Sequence, residues 1–281
     1  MKALTVDIED YHSLVARDKL GVEVPVSRNV DLETGHLLDL LDDLDVRATC
    51  FVVGRLAHER PHLVKEIAAR GHEIASHGFQ HLLMPQLDPQ SFAEDLRASM
   101  DVLQGITGTA VRGFRAPAFS LSERQRWAFE IMAEEGIEYD SSVRLVLPFG
   151  GQLGQALIDT ASKHGIREFP SLALGWRRFR IPLEGGGGLR LVPEFISRWG
   201  VERVRRFGFA VPVYVHPYDL TTESRTDWPT ADLPKRIRLA WFDWCQHRGR
   251  SRVAPRLHRV VSRRRSEDDL AFFHPSMRSS R

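Results

Sequence analysis

Along the first two thirds of the chain, short apolar runs alternate with longer stretches in which apolar residues return every three or four positions. The first pattern marks buried strands and the second amphipathic helices. Residues 4–7 form one such run, ending in acids, and in 31–44 Leu37, Leu38, Leu40, Leu41 and Leu44 mark a helix face. Residues 48–53 are β-branched and aromatic and stop at Gly54; Pro61 then opens a helix carrying Leu63, Val64, Ile67 and Ala68 before Gly71. Residues 73–76 predict a third strand, and 89–106 a third helix with Phe92, Leu96, Met100 and Leu103 at helical steps. A strand at 111–114, a helix at 121–135 capped by Ser122 and stopped by Gly136, and a strand at 137–139 continue the pattern. Segments 157–164, 167–172, 192–207 and 211–216 carry it further.

Short strands alternating with helices imply a parallel sheet. About seven such units, with acids, histidines and an arginine just after strand ends, predict an irregular α/β fold of the (β/α) barrel type with its site at one mouth. The barrel is expected to span residues 1–248, ending in a helix over 231–247 whose Trp241, Phe242 and Trp244 should dock on it. Residues 249–281 are then a basic C-terminal tail. Gly185 to Gly188 precede no helix with a phosphate-loop Lys-Ser/Thr, so they predict a flexible turn and not a nucleotide cradle.

Composition changes this picture little. The chain has 281 residues, 42% of them hydrophobic, enough for a sizeable core. With 39 basic and 37 acidic side chains there is no global field that would point to nucleic acid, and none is expected as a partner. Residues 235–281, however, hold thirteen Lys/Arg against four Asp/Glu, including Arg263, Arg264 and Arg265, which admits peripheral contact with an anionic membrane. Cys50 and Cys245 lie in apolar or aromatic surroundings without C-x-x-C spacing and predict reduced core residues. The N-terminus lacks an apolar run of signal-peptide length and no stretch is long enough to span a bilayer, so the expected compartment is the cytoplasm.

Four clusters carry candidate chemistry. His77 and His81 are four apart just after a strand-like run, and one helical turn there would bring both imidazoles to one face; a structural histidine pair has the same spacing. His58 and His62 share that spacing, but Pro61 between them favours a helix start. Asp7, Glu9 and Asp10 crowd three acids at the end of a buried strand, which a cation or an arginine would relieve. Arg115 precedes Ala116-Pro117, a stiff corner from which a guanidinium can grip a carboxylate. His216 ends the late strand before Pro217.

Taken in chain order, Asp7 to Asp10, Ser76 to His81, Arg115 to Pro117 and His216, together with Tyr139-Asp140-Ser141-Ser142, resemble the polysaccharide deacetylases, carbohydrate esterases of the nodulation chitooligosaccharide-deacetylase type. Glu168-Phe169-Pro170, the glycine run and Tyr214-Val215-His216-Pro217-Tyr218 look like the subgroup linked to exopolysaccharide loci. The resemblance implies a divalent metal, zinc first, with nickel, cobalt or iron fitting the same ligands. It implies Asp7 as catalytic base, Arg115 orienting it, His216 as acid, and His77, His81 and Asp10 as metal ligands, with Glu9 the close alternative to Asp10 because Asp-x-Glu-Asp replaces the family's adjacent pair. What orients His216 is left open by the motifs. The implied substrate is an N-acetylated glycan or its lipid-linked precursor. The rivals are a metal-dependent amidohydrolase on a small cyclic amide or peptide, and a catalytically silent glycan-binding barrel.

Overall fold

Among the described residues ten strands follow in chain order: β1 (Leu4–Ile8), β2 (Thr49–Val52), β3 (Glu73–Ser76), β4 (Gly113–Phe114), β5 (Tyr139–Asp140), β6 (Arg144–Leu147), β7 (Arg167–Glu168), β8 (Ser171–Trp176), β9 (Phe179–Pro182) and β10 (Val213–Val215). They are seen in a computed structural model that describes residues 4–147, 151–176, 179–221, 228–229 and 232–262. Seven of them make one parallel sheet in the order β10-β1-β2-β3-β4-β5-β7. The other three form a separate small sheet, β6-β8-β9.

The seven-stranded sheet is open, which corrects the closed barrel expected from the strand count. Its edges, β7 and β10, do not pair. After β5 the chain is diverted into the small sheet, Pro170 separates β7 from β8, and β4, β5 and β7 are only two residues long. The sheet is nevertheless strongly curled. On a flat sheet three strand spacings, about 14 Å, would part β1 from β4, yet Arg115, just past β4, contacts Asp7 on β1 at 2.5 Å.

Helices cover the convex face and seal the main core. In the helix Asn29–Asp43, Leu37, Leu38 and Leu41 are fully buried, each contributing about 1.5–3 kcal/mol. The helix Pro89–Thr107 is capped at Asp88, whose carboxylate accepts from Ser91 N, and buries Phe92, Leu96 and Leu103. Among the described residues no helix is long and apolar enough to cross a membrane.

The C-terminal third departs from expectation in three places. The glycine run is no flexible turn: Gly186–Leu191 is helical and tightly packed. A Cβ on Gly186 would lie 2.2 Å from Asp219 Oδ2, and one on Gly188 2.3 Å from the Pro182 carbonyl oxygen. The helix Leu233–His247 docks through Leu239, Phe242 and Asp243, while Trp241 and Trp244 face outward. Residues 249–262, expected as tail, form the helix Val253–Ser262, and Val253, Leu257 and Val261 are buried in the main core. Residues 263–281, with Arg263 to Arg265, lie outside the described residues. Both cysteines are free, Cys50 buried and Cys245 only half-buried.

Candidate active site and metal centre

Side chains alternate across a strand, so Thr5 and Asp7 on β1 share a face, and Glu9, one residue past its end, continues on it. All three are buried on the concave side. Arg115, fully buried, donates to Asp7 Oδ1 (2.5 Å), Thr5 Oγ1 (3.0 Å), Ser141 Oγ (2.9 Å) and the Ser141 carbonyl (3.3 Å), with its guanidinium 4.0 Å from the Phe51 ring centroid. This uses up Oδ1 of Asp7 and leaves Oδ2 facing the cavity. The corner that presents Arg115 is itself tied down: Ser142 Oγ accepts from Ala116 N (2.7 Å) and donates to Asp140 Oδ1 (2.6 Å). Burial pushes the carboxyl of Asp140 above the usual range, and burial together with the Asp140 charge pushes that of Glu168 well above it.

The histidine pair is delivered by β3. His77 follows it directly, and the loop turns through Gly78 at φ 73° and His81 at φ 55°, a left-handed conformation that a histidine adopts only when its surroundings enforce it. Asp95 supplies part of that enforcement by accepting from Phe79 N (2.7 Å) and Gln80 N (2.9 Å). His77 Nδ1 lies 2.8 Å from the Arg115 carbonyl oxygen. A carbonyl only accepts, so Nδ1 carries the proton and Nε2 presents its lone pair. Burial lowers the His77 pKa to about 4, which keeps the ring neutral as a metal ligand requires. His81 is buried, and its Nδ1 has no hydrogen-bond partner.

Glu9 completes the group. Its Oε2 is 2.8 Å from His81 Nε2 and 3.8 Å from His77 Nε2, and ligand atoms of Glu9, His77 and His81 all fall within 4.8 Å of one another. Burial alone would raise the Glu9 carboxyl, but His81, His216 and His77 hold it well below the usual range. One carboxylate and two imidazoles suit a borderline divalent cation, which would take the lone pairs that Glu9, His77 and His81 here bring together.

His216 sits across the mouth from Asp7. Its Nε2 is 3.6 Å from Glu9 Oε1 and 3.9 Å from Asp7 Oδ2, while its Nδ1 lies 2.8 Å from Asp219 Oδ2. Burial alone would lower its pKa, but Asp219 outweighs it through hydrogen bond and charge, with Glu9 and Asp7 adding to the effect, and raises it to about 9. Asp219 is in turn 3.6 Å from Arg190 Nε. Tyr218 stacks on His216 with centroids 4.6 Å apart and donates its hydroxyl to Glu9 Oε1 (3.0 Å).

Comparison with known proteins shows what this chain resembles. Residues 31–139 match the polysaccharide deacetylase family model, and residues 152–268 match a domain of unknown function (DUF3473). Over residues 31–139 the chain is similar to the polysaccharide deacetylases. A peptidoglycan-N-acetylglucosamine deacetylase of Bacillus cereus is 30% identical over 115 residues, covering 40% of this chain and 42% of that protein. A chitooligosaccharide deacetylase of Sinorhizobium fredii is 33% identical over 85 residues, covering 30% of this chain and 40% of that one. The matched stretch thus spans about two fifths of each of these relatives. A crystal structure from Mycobacterium smegmatis, of the polysaccharide deacetylase type, shares the fold over 97% of this chain and 93% of its own, with a TM-score of 0.54 and 20% identity.

The structure brings together Asp7, Arg115, His216, His77 and His81 and leaves Asp10 out. Asp10 is the N-cap of the helix Tyr11–Val15: its Oδ2 accepts from Ser13 N (3.0 Å) and Ser27 N (3.0 Å), and its Oδ1 from Ser27 Oγ (2.7 Å). The carboxylate beside the histidines is Glu9. Sequence reasoning leaves Asp219 unnoticed and gives Tyr218 no role, although both stand in the run His216-Pro217-Tyr218-Asp219. His62 pairs with Asp31 at 3.1 Å near the surface, apart from the site.

Proposed function

We propose that this protein is a metal-dependent deacetylase that hydrolyses the N-acetyl group of an amino sugar in a glycan. The reading is carried by one observation, the Glu9-His77-His81 ligand group facing a fixed carboxylate, Asp7, and a carboxylate-held imidazole, His216, across a single mouth. A divalent cation bound by Glu9, His77 and His81 would supply a Lewis acid for the acetamide carbonyl and for the attacking water. Asp7 Oδ2, left free because Arg115 holds Oδ1, accepts the proton of that water. His216, protonated at neutral pH and held through Nδ1 by Asp219, donates from Nε2 to the departing amine. Stacked on His216, Tyr218 keeps the ring in plane, and burial beside Glu9 keeps the Tyr218 hydroxyl protonated as a donor. The products are acetate and a free amino sugar.

Zinc is the cation we favour, on the two-imidazole, one-carboxylate set. Synthesis of an exopolysaccharide is the setting we favour, on the Glu168-Phe169-Pro170, glycine-run and Tyr-Val-His-Pro-Tyr segments. The test is acetate release from N-acetylated glucosamine oligomers by protein stripped of metal and reloaded with zinc, nickel, cobalt or ferrous iron in turn. Release that depends on the metal and disappears in Asp7→Asn supports the reading. A fully loaded protein that releases no acetate from these oligomers, but opens small cyclic amides, would replace it with the amidohydrolase alternative.

A further inference from the structure

The helix Leu233–His247 has two unlike faces. Leu239 and Asp243 are buried, and Asp243 is bonded to the Tyr11 hydroxyl (2.7 Å) and to Trp228 Nε1 (3.0 Å), which fixes the inner face to the domain. On the outer side Leu233, Ile237, Trp241 and Trp244 recur at i, i+4, i+8 and i+11, so they form one stripe. They are 64%, 62%, 65% and 51% exposed, and the two indoles stack at 5.1 Å. Exposed Arg236 and Arg238 flank the stripe, and Arg248 lies over the Trp244 ring at 5.0 Å. The one acid of this helix, Asp243, faces inward. A groove lined by Leu191, Trp244, Arg248 and Arg252 extends the patch beyond the helix.

We propose that this outer face seats the protein on an anionic lipid surface, with Trp241 and Trp244 entering the headgroup region and the arginines meeting lipid phosphates. Large apolar residues in a stripe bordered by Lys and Arg, with tryptophan prominent, are what an interfacial helix requires. Charge decides against the other two occupants. A second copy docking the same patch would set Arg236, Arg238 and Arg248 against their equivalents. Residues 263–281 carry five arginines against three acids, so they bring the same sign to the patch. An anionic bilayer brings the opposite sign and attracts each basic residue near its surface.

The experiment uses the full chain with sedimented vesicles of phosphatidylcholine alone and of phosphatidylcholine mixed with phosphatidylglycerol. The expected result is binding to the mixed vesicles only, weakened by salt, with a blue shift of tryptophan emission. Trp241→Ser/Trp244→Ser and, separately, Arg236→Glu/Arg238→Glu should each weaken binding by roughly tenfold or more. Circular dichroism, metal content and turnover on a small soluble acetamido sugar should stay as in the parent. Because the charge pair is fully on the surface, it keeps the test decisive even if the tryptophan pair perturbs folding. The proposal is overturned if the mixed vesicles are not bound, or if both variants bind like the parent while Arg263→Glu/Arg264→Glu does not. It is equally overturned if sedimentation shows a dimer that the helix variants dissolve.

Discussion

Asp219 Oδ2 accepts from both His216 Nδ1 (2.8 Å) and His216 N (3.0 Å), so one carboxylate fixes the ring and the backbone of the residue that faces the cavity. The 3-10 turn Pro217–Asp219 makes this possible by folding the carboxylate back onto the residue that starts it. The helix Gly186–Leu191 closes in behind Asp219, where a side chain on Gly186 would displace the carboxylate.

The first prediction concerns that pair. Asp219→Asn removes the charge that does most to keep His216 protonated, so the pKa of about 9 should fall. An acid is active below its pKa, and the alkaline limb of the pH–rate profile should therefore move to lower pH. At neutral pH kcat should drop by up to about a hundredfold with KM little changed. A profile that keeps its alkaline limb would show that Asp219 only supports the fold.

Two acids one residue apart should behave differently. Glu9→Gln takes a ligand from the metal group and should abolish stoichiometric binding, read by elemental analysis of the dialysed protein. Asp10→Asn should keep the metal and lower stability by about 1–2 kcal/mol, because it weakens an N-cap and two bonds to Ser27. Full metal content in Glu9→Gln would return the ligand role to another carboxylate.

Arg115→Lys tests orientation of the base. A lysine cannot reproduce the fork that spans Asp7, Thr5 and Ser141, and it leaves buried acceptors unpaired. Activity should fall by about a hundredfold with the metal retained, and urea denaturation should show a loss of several kcal/mol, roughly the range for breaking a buried ion pair. Wild-type turnover in this variant would mean that Asp7 needs no partner.

Acid should destabilise the protein through buried neutral histidines. Burial, helped by Arg47, lowers His72 from its ordinary 6.5 to about 4, and its Nδ1 accepts from Ala48 N (3.2 Å), which requires the unprotonated ring. Between those two values the unfolded chain binds the proton and the folded one does not. The stability is thus whole above about 6.5 and is lost as pH falls towards about 4. His72→Gln should flatten part of this slope in urea titrations, and an unchanged slope would remove His72 from the account.

Much of the site was legible because strand ends and turns concentrate chemistry at fixed spacing. His77 and His81 after β3, Arg115 before its proline, and His216 at the end of β10 all stand where the pattern puts them. Family resemblance places the metal carboxylate at Asp10, whereas strand alternation, with period two, puts Glu9 on the same face as Asp7. Asp219 could be read from a carboxylate three residues after a histidine and two after a proline. The small sheet could not: β6 and β9 are four-residue strands whose pairing is decided by distant contacts. Nor could the fate of Trp241 and Trp244, since aromatic side chains on a helix carry no sign of which face is buried.

The last prediction separates core from tail. Composition suggests that the chain after 248 is dispensable, but Val253, Leu257 and Val261 are buried, and removing three such side chains costs on the order of 5 kcal/mol. Arg256 of the same helix also donates to the carbonyls of Gly188 (3.3 Å), Leu189 (2.8 Å) and Val192 (2.6 Å). It thereby ties down the segment that packs against Asp219, and so reaches His216 at one remove. Ending the chain after residue 250 should therefore lower the urea midpoint sharply and reduce turnover on a small soluble substrate. Ending it after residue 262 should leave thermal stability, metal content and that turnover close to those of the full chain. Equal stability of the two truncations would show that the helix Val253–Ser262 is not part of the domain in solution.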